Sequence, residues 1–162
     1  MLSIWAAYKP IQIIYSQHQS SHRQTLRCFM NNSTLTPHLV VNDGEAAIAF
    51  YEQAFGATLE AKHPADDGKR LMHVHLKLGS GALFLHDEFP EYGGEGAKAP
   101  TRLGGASCTL HLDVPDADVA WDRALKAGVT VLMPMDNQFW GMRYGQFKDP
   151  FGHVWSIGGP LK

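Results

Sequence analysis

Cysteine is the scarcest informative residue in this chain of 162 amino acids. It has two cysteines, Cys28 and Cys108, which stand far apart, and Cys108 falls in a strand-like apolar run. A disulfide framework or a cysteine metal cluster requires more cysteines at closer spacing, so neither is predicted. Two isolated thiols fit the reducing cytoplasm, which is the predicted location.

Long apolar runs and nucleotide-binding loops are also missing. No stretch approaches the roughly 18 consecutive apolar residues of a membrane-spanning helix. No glycine-rich loop is spaced to cradle phosphates, and no nucleophile stands beside an evident base. With 44% hydrophobic and 19% charged residues, the composition is that of an ordinary globular protein. A single domain of this length buries about 70% of its unfolded surface.

Acidic residues are missing from the first 42 positions, which carry Lys9, Arg23 and Arg27, whereas the remainder holds 11 basic and 16 acidic residues. The folded part is therefore mildly acidic, and nucleic-acid binding, which requires a basic face, is not predicted. Residues 1–32 are interpreted as an appended or disordered segment before a domain at 33–160. A start codon misassigned upstream of Met30 is favoured over a transit peptide, because amphipathicity is weak.

A faint internal repeat organises the rest of the chain. Residues recur at a constant offset of 73 positions. The first copies are Thr36, His38, Leu39, Val41 and Asp43, and the second are Thr109, His111, Leu112, Val114 and Asp116. A helix-like run follows each copy and ends in glycine, at Gly56 and Gly128. Two similar modules packed side by side, with equivalent faces looking at each other, are therefore predicted.

Hydrophobic periodicity divides each module into a strand, a helix and three further strands. Module one spans 35–89, a glycine-rich linker spans 90–105, and module two spans 106–160. The predicted strands are 35–41, 57–63, 72–78 and 82–89, then 107–114, 129–133, 142–147 and 153–157. The first helix is capped by Asn42 or Asp43. The apolar stripe of the second helix is assigned to Val119, Ala120, Ala124, Leu125 and Ala127, with Trp121 in the core or an interface.

Strict alternation in the hairpin of module one separates polar from apolar side chains. His73 and His75 fall opposite the apolar residues that a helix would cover, so they are predicted to face a concave surface. His86, on the last strand of the module, is a further candidate for that surface. The next residues, Asp87 and Glu88, are predicted to form a solvated strand end.

The closing segment QFWGMRYGQFKDPFGHVW combines aromatic residues, an arginine and a turn. Its DPFG sequence at 149–152 is typical of a turn in which proline fixes one dihedral angle and glycine permits positive φ. Trp140, with Phe139 and Tyr144, forms a candidate aromatic wall for a flat ligand. Arg143 has the planar fork that suits a carboxylate or phosphonate. Pocket and structural roles both stay open for Trp140 and Arg143.

The sequence resembles the PhnB-like branch of the glyoxalase, bleomycin-resistance and dioxygenase group, also called the vicinal oxygen chelate superfamily. The resemblance rests on LTPHLVVNDGEAAIAFYEQAFGA, MHVHLKLG, DEFPE and above all the closing segment, and it covers roughly residues 33–160. It implies an α+β fold of two tandem βαβββ modules forming a curved mixed sheet around a shared cavity, assembled as a homodimer. It leaves activity open, since relatives include metal-dependent isomerases, lyases and dioxygenases and metal-free binding proteins.

In metal-dependent relatives, ligands come from the first and last strands of each module. The corresponding positions here are Thr36, Thr109, Ser156, and either Phe84 or His86. Hydroxyl groups are weak ligands for a divalent ion compared with imidazole or carboxylate. The usual metal site is therefore predicted to be absent, no cofactor is expected, and these positions are assigned to ligand binding.

Strand alternation also offers relocated histidines. His38 and His111 lie on the same faces as the two first-strand threonines, and with His86 they form an alternative site for Zn, Ni, Mn or Fe. Without metal, His38 or His111 could serve as a catalytic general base, since the unperturbed pKa of histidine is near 6.5.

The leading functional hypothesis is a protein that binds a small organic molecule in its cavity without the usual metal. A metal-dependent lyase or isomerase using relocated histidines is the second hypothesis, and a non-catalytic structural or interaction protein is the third. Whether the chain is an enzyme stays open. The expected partners are a small organic molecule and a second copy of the chain, with neither nucleic acid nor membrane.

Overall fold

The computed structural model describes residues 33–93 and 98–162. Residues Thr36–Lys162 form one compact unit, and the segment 1–32, which the sequence interprets as appended, lies outside the described residues. The strands form two four-stranded mixed sheets. This confirms the α+β fold of two tandem βαβββ modules. None of the helices in the described ranges is long and apolar enough to cross a membrane.

Module one has one parallel strand pair and two antiparallel pairs. Its elements are β1 His38–Val41, α1 Gly44–Phe55, β2 Thr58–Pro64, β3 Leu71–Leu78 and β4 Gly81–Asp87. The strand order is β1-β4-β3-β2, with β1 parallel to β4. Helix α1 begins where the Asp43 carboxylate accepts a hydrogen bond from the Ala46 N–H, 3.0 Å away, and ends at Gly56 with φ 68°. Both ends confirm the sequence prediction.

Module two repeats this arrangement after a connecting segment. A 3₁₀ turn, Pro90–Tyr92, and a short helix α2, Pro100–Leu103, lie in the region predicted as a linker. The following elements are β5 Thr109–Asp113, α3 Ala117–Lys126, β6 Thr130–Asn137, β7 Arg143–Lys148 and β8 Val154–Gly159. The order β5-β8-β7-β6, with β5 parallel to β8, matches module one strand for strand.

The helices join the two modules. Helix α1 packs against α3 and against its own sheet, and one hydrophobic core runs through both modules. The rings of Tyr51 and Phe55 in α1 also contact Trp155 of β8, with centroids 5.7 and 4.7 Å away. The equivalent faces that meet within one chain are therefore the helical ones. The other face of each sheet is turned away from the helix layer.

Helix α3 presents a different face to the core from the predicted stripe. Its buried residues are Ala117, Trp121 and Ala124, whereas Val119 and Leu125 are 61% and 40% exposed. The stripe assignment is wrong for the two exposed residues, because the large indole of Trp121 sets which side of the helix turns inward. The prediction that Trp121 packs in the core or an interface is confirmed.

The prediction of a solvated strand end at Asp87 is also wrong. This carboxylate is 4% exposed and accepts hydrogen bonds from the Gly44 N–H at 2.7 Å and the Leu71 N–H at 2.6 Å. The neighbouring Glu88 accepts from the Ala99 N–H at 2.6 Å. The start of α1 leaves backbone donors without helical partners, and Asp87 satisfies one of them from a distant strand.

The DPFG turn fastens module two to module one. Gly152 has φ 91°, which confirms the predicted use of glycine. The carboxylate of Asp149 is 3% exposed and accepts hydrogen bonds from the Tyr51 hydroxyl and the Trp155 indole N–H, each at 2.8 Å. Two backbone N–H groups of the turn region donate to its other oxygen, each at 2.9 Å. The Asp149 carboxylate therefore accepts hydrogen bonds from side chains of both modules.

Candidate functional site

The sheet of module one carries a cluster of histidines on the side turned away from α1. Pairing between neighbouring strands sets His38 beside Phe84, His75 beside Phe84, and His63 beside His73. Because side chains alternate across a strand, these residues share one face. We call this surface the histidine face, and it consists of His38, His63, His73, His75, Phe84 and His86.

The rings of the histidine face touch edge to face. The His38 centroid lies 5.4 Å from that of His73 and 5.0 Å from that of His86, both with perpendicular planes. His73 and His75 each lie 4.9 Å from the centroid of Phe84. Such geometry brings ring edges toward ring faces and is favourable for aromatic groups. The cluster is a partly exposed aromatic surface rather than a sealed core.

The histidine face lacks negative charge. Burial lowers the pKa of His38 and His73, and the neighbouring histidines lower it further. Within the described ranges, His111 of the other module is the one histidine with a carboxylate within 4.0 Å of a ring nitrogen. The lowered pKa favours the neutral form of the His38 and His73 imidazoles.

The ring orientation of His86 is fixed by the backbone. Its Nδ1 lies 2.7 Å from the carbonyl oxygen of Asp87. A carbonyl oxygen only accepts hydrogen bonds, so Nδ1 carries the proton. In the neutral ring, Nε2 is then left as an acceptor.

The corresponding surface of module two has different chemistry. We call it the tyrosine face, and it consists of Thr109, His111, Tyr144, Gln146 and Ser156. The His111 Nδ1 lies 2.8 Å from the Ser156 hydroxyl, and Nε2 lies 3.3 Å from a carboxylate oxygen of Asp113. Since a carboxylate only accepts, Nε2 donates and Nδ1 accepts the hydroxyl proton. Ser156 is 1% exposed, so it positions the ring and is shielded from a ligand.

Gly158 makes room for the His111 ring, a role that the sequence reasoning missed. A Cβ atom at this position would lie 2.8 Å from the His111 Cε1 and 2.8 Å from the Met142 Cε. The internal repeat contains a signal for it, because strand register makes Gly158 the counterpart of His86. A side chain thus occupies this position in module one, and a neighbouring imidazole fills the space in module two.

The closing hairpin adds an aromatic row beside the tyrosine face. The Trp140 centroid lies 4.9 Å from that of Phe139 and 5.5 Å from that of Tyr144. Tyr144 in turn stacks on His111, with centroids 5.8 Å apart. Phe139 is 97% exposed and Trp140 46% exposed. The row therefore exposes aromatic surface to solvent, as is required of side chains that contact a flat ligand.

Arg143 lies at the edge of this module and already has a partner. Its Nε and Nη2 donate to one carboxylate oxygen of Asp118, at 3.0 and 2.8 Å. The other Asp118 oxygen lies 2.9 Å from the Lys162 ammonium group. The pair connects β7 to the first turn of α3. A structural role is thus available to Arg143, and its assignment to ligand binding stays a prediction.

The two first-strand threonines differ in position. Thr36 lies two residues before β1 and is partly buried, and Thr109 is exposed at the start of β5, where it pairs with Val154 at one end of the tyrosine face. A cleft of about 540 Å³ opens beside His38, between β1 and the start of β5. His153 lines this cleft, and its Nε2 lies 3.0 Å from the carbonyl oxygen of Val40.

The described side chains do not fit the metal that the superfamily often binds. Within residues 33–93 and 98–162, no group of three or more His, Cys, Asp or Glu is arranged to hold a metal ion. At the family's positions, Phe84 offers no donor and the Ser156 hydroxyl is bound to a ring nitrogen. His38 and His86 come together, but His111 belongs to the other sheet. The alternative trio is therefore not assembled by one chain.

Comparisons with known proteins agree with this architecture. The chain is 45% identical over 128 residues to an uncharacterized protein of Mycobacterium tuberculosis strain H37Rv, covering 79% of this chain and 75% of that one. A Pseudomonas aeruginosa protein of known crystal structure is 31% identical with TM-score 0.63, covering 81% of this chain and 100% of its own. TioX from Micromonospora sp. ML1 is 25% identical with TM-score 0.63, covering 80% and 100%. The family model for residues 32–157 matches as well, and the chain belongs to the Glyoxalase/Bleomycin resistance protein/Dioxygenase superfamily.

Proposed function

We propose that this protein binds a small, flat organic molecule on the histidine face, without a metal at the positions its relatives use. One observation carries the proposal. Four imidazoles contact one another or Phe84 at centroid distances of 4.9 to 5.4 Å while staying partly open to solvent. Neutral imidazoles supply both donors and acceptors, and Phe84 supplies an apolar ring face, which together suit an aromatic ligand.

The proposed binding unit is a homodimer. In one chain the histidine face and the tyrosine face both turn away from the helices, and within the described residues no hydrogen bond or ring contact joins them. A twofold axis would set the histidine face of one copy against the tyrosine face of the other, enclosing two equal cavities. Charge supports this pairing, because the tyrosine face has Asp113 at its edge and the histidine face has Lys77.

We also propose that the chain belongs to the PhnB-like branch of the superfamily. The support is the closing segment, in which Trp140 begins the aromatic row and the DPFG turn fastens the modules. A crystal structure of a ligand complex would show whether both features serve the cavity.

A second candidate function is proton abstraction by His111. The observation that favours it is the carboxylate of Asp113, 3.3 Å from Nε2, because an acceptor on one ring nitrogen orients the ring and leaves the other nitrogen as a proton acceptor. The nitrogen that would take up the proton is Nδ1, which accepts a hydrogen bond from the Ser156 hydroxyl in the free protein. If His111 abstracts a proton, His111→Gln abolishes turnover of a bound ligand. If the protein only binds its ligand, the wild-type protein shows no turnover either.

Ligand binding is tested with the full chain by screening flat aromatic compounds for an increase in melting temperature. Confirmed binders are then titrated against His73→Gln and Phe84→Leu variants. Both changes should weaken binding. Lys62→Gln is the matched control, since this lysine pairs with Glu45 on the helix side of the same sheet. Binders whose affinity responds equally to all three variants would locate the site elsewhere.

The homodimer is tested separately by sedimentation velocity. The expected result is a dimer whose dissociation constant increases when Phe139 and Trp140 are replaced by serine, since the aromatic row would lie in the interface. A monomer at all concentrations would refute the paired-face arrangement and leave a one-chain site open.

A further inference from the structure

The histidine face gathers side chains that can take up protons, and the described residues supply no acidic partner for them. Its ionisable groups are His38, His63, His73, His75 and His86, and Lys77 lies next to them on the same side of β3. In the described ranges, no carboxylate approaches these ring nitrogens within 4.0 Å. The nearest acid along β2, Glu60, sits in a bulge of that edge strand.

Several cations at other places in the fold have acidic partners. Lys62 contacts Glu45 at 2.8 Å, and Arg70 contacts Asp67 and Glu91, each at 2.6 Å. These cations are paired with acids at separate places in the fold. Among the described residues, the histidine face has no such acidic partner, although it gathers five of the nine histidines of the chain.

We propose that the histidine face recognises the oxyanion of a flat aromatic acid, an inference that rests on the proposed binding function and names its ligand class. The oxyanion takes the place of the missing counter-ion among His38, His73 and His86. The aromatic ring of the ligand packs against Phe84, which already has the rings of His73 and His75 at 4.9 Å. Carboxylate and phosphonate share this chemistry, since both accept hydrogen bonds from protonated imidazole.

Binding of this kind takes up protons. In the free protein, burial and mutual repulsion keep the pKa of His38 and His73 below the ordinary value. A bound anion opposes the repulsion and raises these pKa values, so the complex holds more protons than the free protein. Affinity then rises about tenfold per unit fall in pH for each proton taken up, between the pKa of the free ring and that of the bound ring. The other ionisable groups near His38 and His73 are His63, His75, His86, Lys77 and, across the cleft beside His38, Lys98.

The test is an NMR titration of the histidine Cε1–H signals in the full-length chain at constant ionic strength. The probes are benzoate, phenylphosphonate and neutral benzamide, with signals assigned through His→Gln variants. The expected result is that benzoate or phenylphosphonate raises the pKa of His38 and His73 and benzamide does not. His153 is the internal control, because it is buried and bonded to the Val40 carbonyl. The two acids together show which oxyanion fits better.

The outcomes separate this inference from the proposed function. If benzamide perturbs the signals of the histidine face as strongly as the acids, and no pKa moves, the surface binds flat molecules and the anion inference is wrong. If no probe perturbs the face, both proposals lose their support. If the pKa of His153 rises as much as that of His73, the effect is general ionic screening, which also overturns the inference. Lys62→Gln must leave the affinity for the acids unchanged, and His73→Gln must reduce it.

Discussion

Replacing Tyr51 by phenylalanine removes one oxygen atom from the contact between the modules. The Tyr51 side chain is fully buried in α1 and its hydroxyl donates to Asp149 at 2.8 Å, across 98 positions of sequence. The ring itself stays, so the packing against Phe55 and Trp155 is preserved and no large cavity forms. The change therefore isolates a single hydrogen bond to a buried carboxylate.

The expected loss of stability depends on the hydrogen bonds that Asp149 keeps after the substitution. A hydrogen bond to a charged group contributes about 1.5 to 3 kcal/mol to stability. After the change, Asp149 still accepts from the Trp155 indole and from two backbone N–H groups, so it is not left unpaired. We expect the free energy of unfolding to fall by about 2 kcal/mol. With a urea m-value of about 1 to 3 kcal/mol/M, the midpoint should fall by roughly 1 M.

Urea denaturation followed by far-ultraviolet circular dichroism measures this shift. The matched control is Tyr92→Phe, because Tyr92 is 71% exposed and surface changes usually stay within about 0.5 kcal/mol. Equal urea midpoints for Tyr51→Phe and Tyr92→Phe would show that the hydrogen bond from Tyr51 to Asp149 does not stabilise the contact between the modules.

The pH dependence of the same variant gives an independent check. Burial raises the pKa of Tyr51 well above its ordinary value, and the Asp149 carboxylate raises it further. Above about pH 10, tyrosine ionises in the unfolded chain but stays protonated in the folded one, so the unfolded state binds fewer protons and stability falls with rising pH. Tyr51→Phe lacks this loss. The difference between wild type and variant should therefore narrow above pH 10.

Three further outcomes are expected. Burial lowers the pKa of His153, so the unfolded state takes up a proton first and stability should fall below about pH 6.5; His153→Gln should weaken that dependence of the urea midpoint. Arg143→Leu and Asp118→Asn should each lower the midpoint slightly and not additively, whereas loss of ligand affinity at constant stability would support a pocket role. Gly158→Ala should cost about 1 to 3 kcal/mol and shift the adjacent imidazole signal in NMR, with Gly105→Ala, which meets nothing within 4 Å, unchanged.

The local sequence pattern was sufficient to predict the main helices and strands of this fold. The cap at Asp43, the left-handed glycine at Gly56 and the alternation in β3 are each set by residues within a few positions of one another. Interactions of that range leave a readable signal in the chain. The internal repeat then extended the result from one module to the other, because the same local pattern forms the same unit twice.

Contacts between distant residues left no such signal. Asp87 and Asp149 look like ordinary acidic residues after a strand and in a turn, yet both are buried and accept hydrogen bonds from donors as far as 43 and 98 positions away. The pairing of Arg143 with Asp118 is another example, since β7 and α3 come together only after the module has folded. Such partners can be assigned only once the packing is known.

The sequence alone determined that His73, His75 and their neighbours share one side of a sheet, because a strand alternates its side chains with a period of two. It also determined that the family's metal positions hold threonine, serine and phenylalanine or histidine. Only the tertiary structure decided that His111 stays apart from His38 and His86, because the two helices pack against each other and turn both outer faces away. It also decided that no acid of the described residues lies within 4.0 Å of the ring nitrogens of the histidine face, which is a matter of long-range packing that a one-dimensional pattern does not contain.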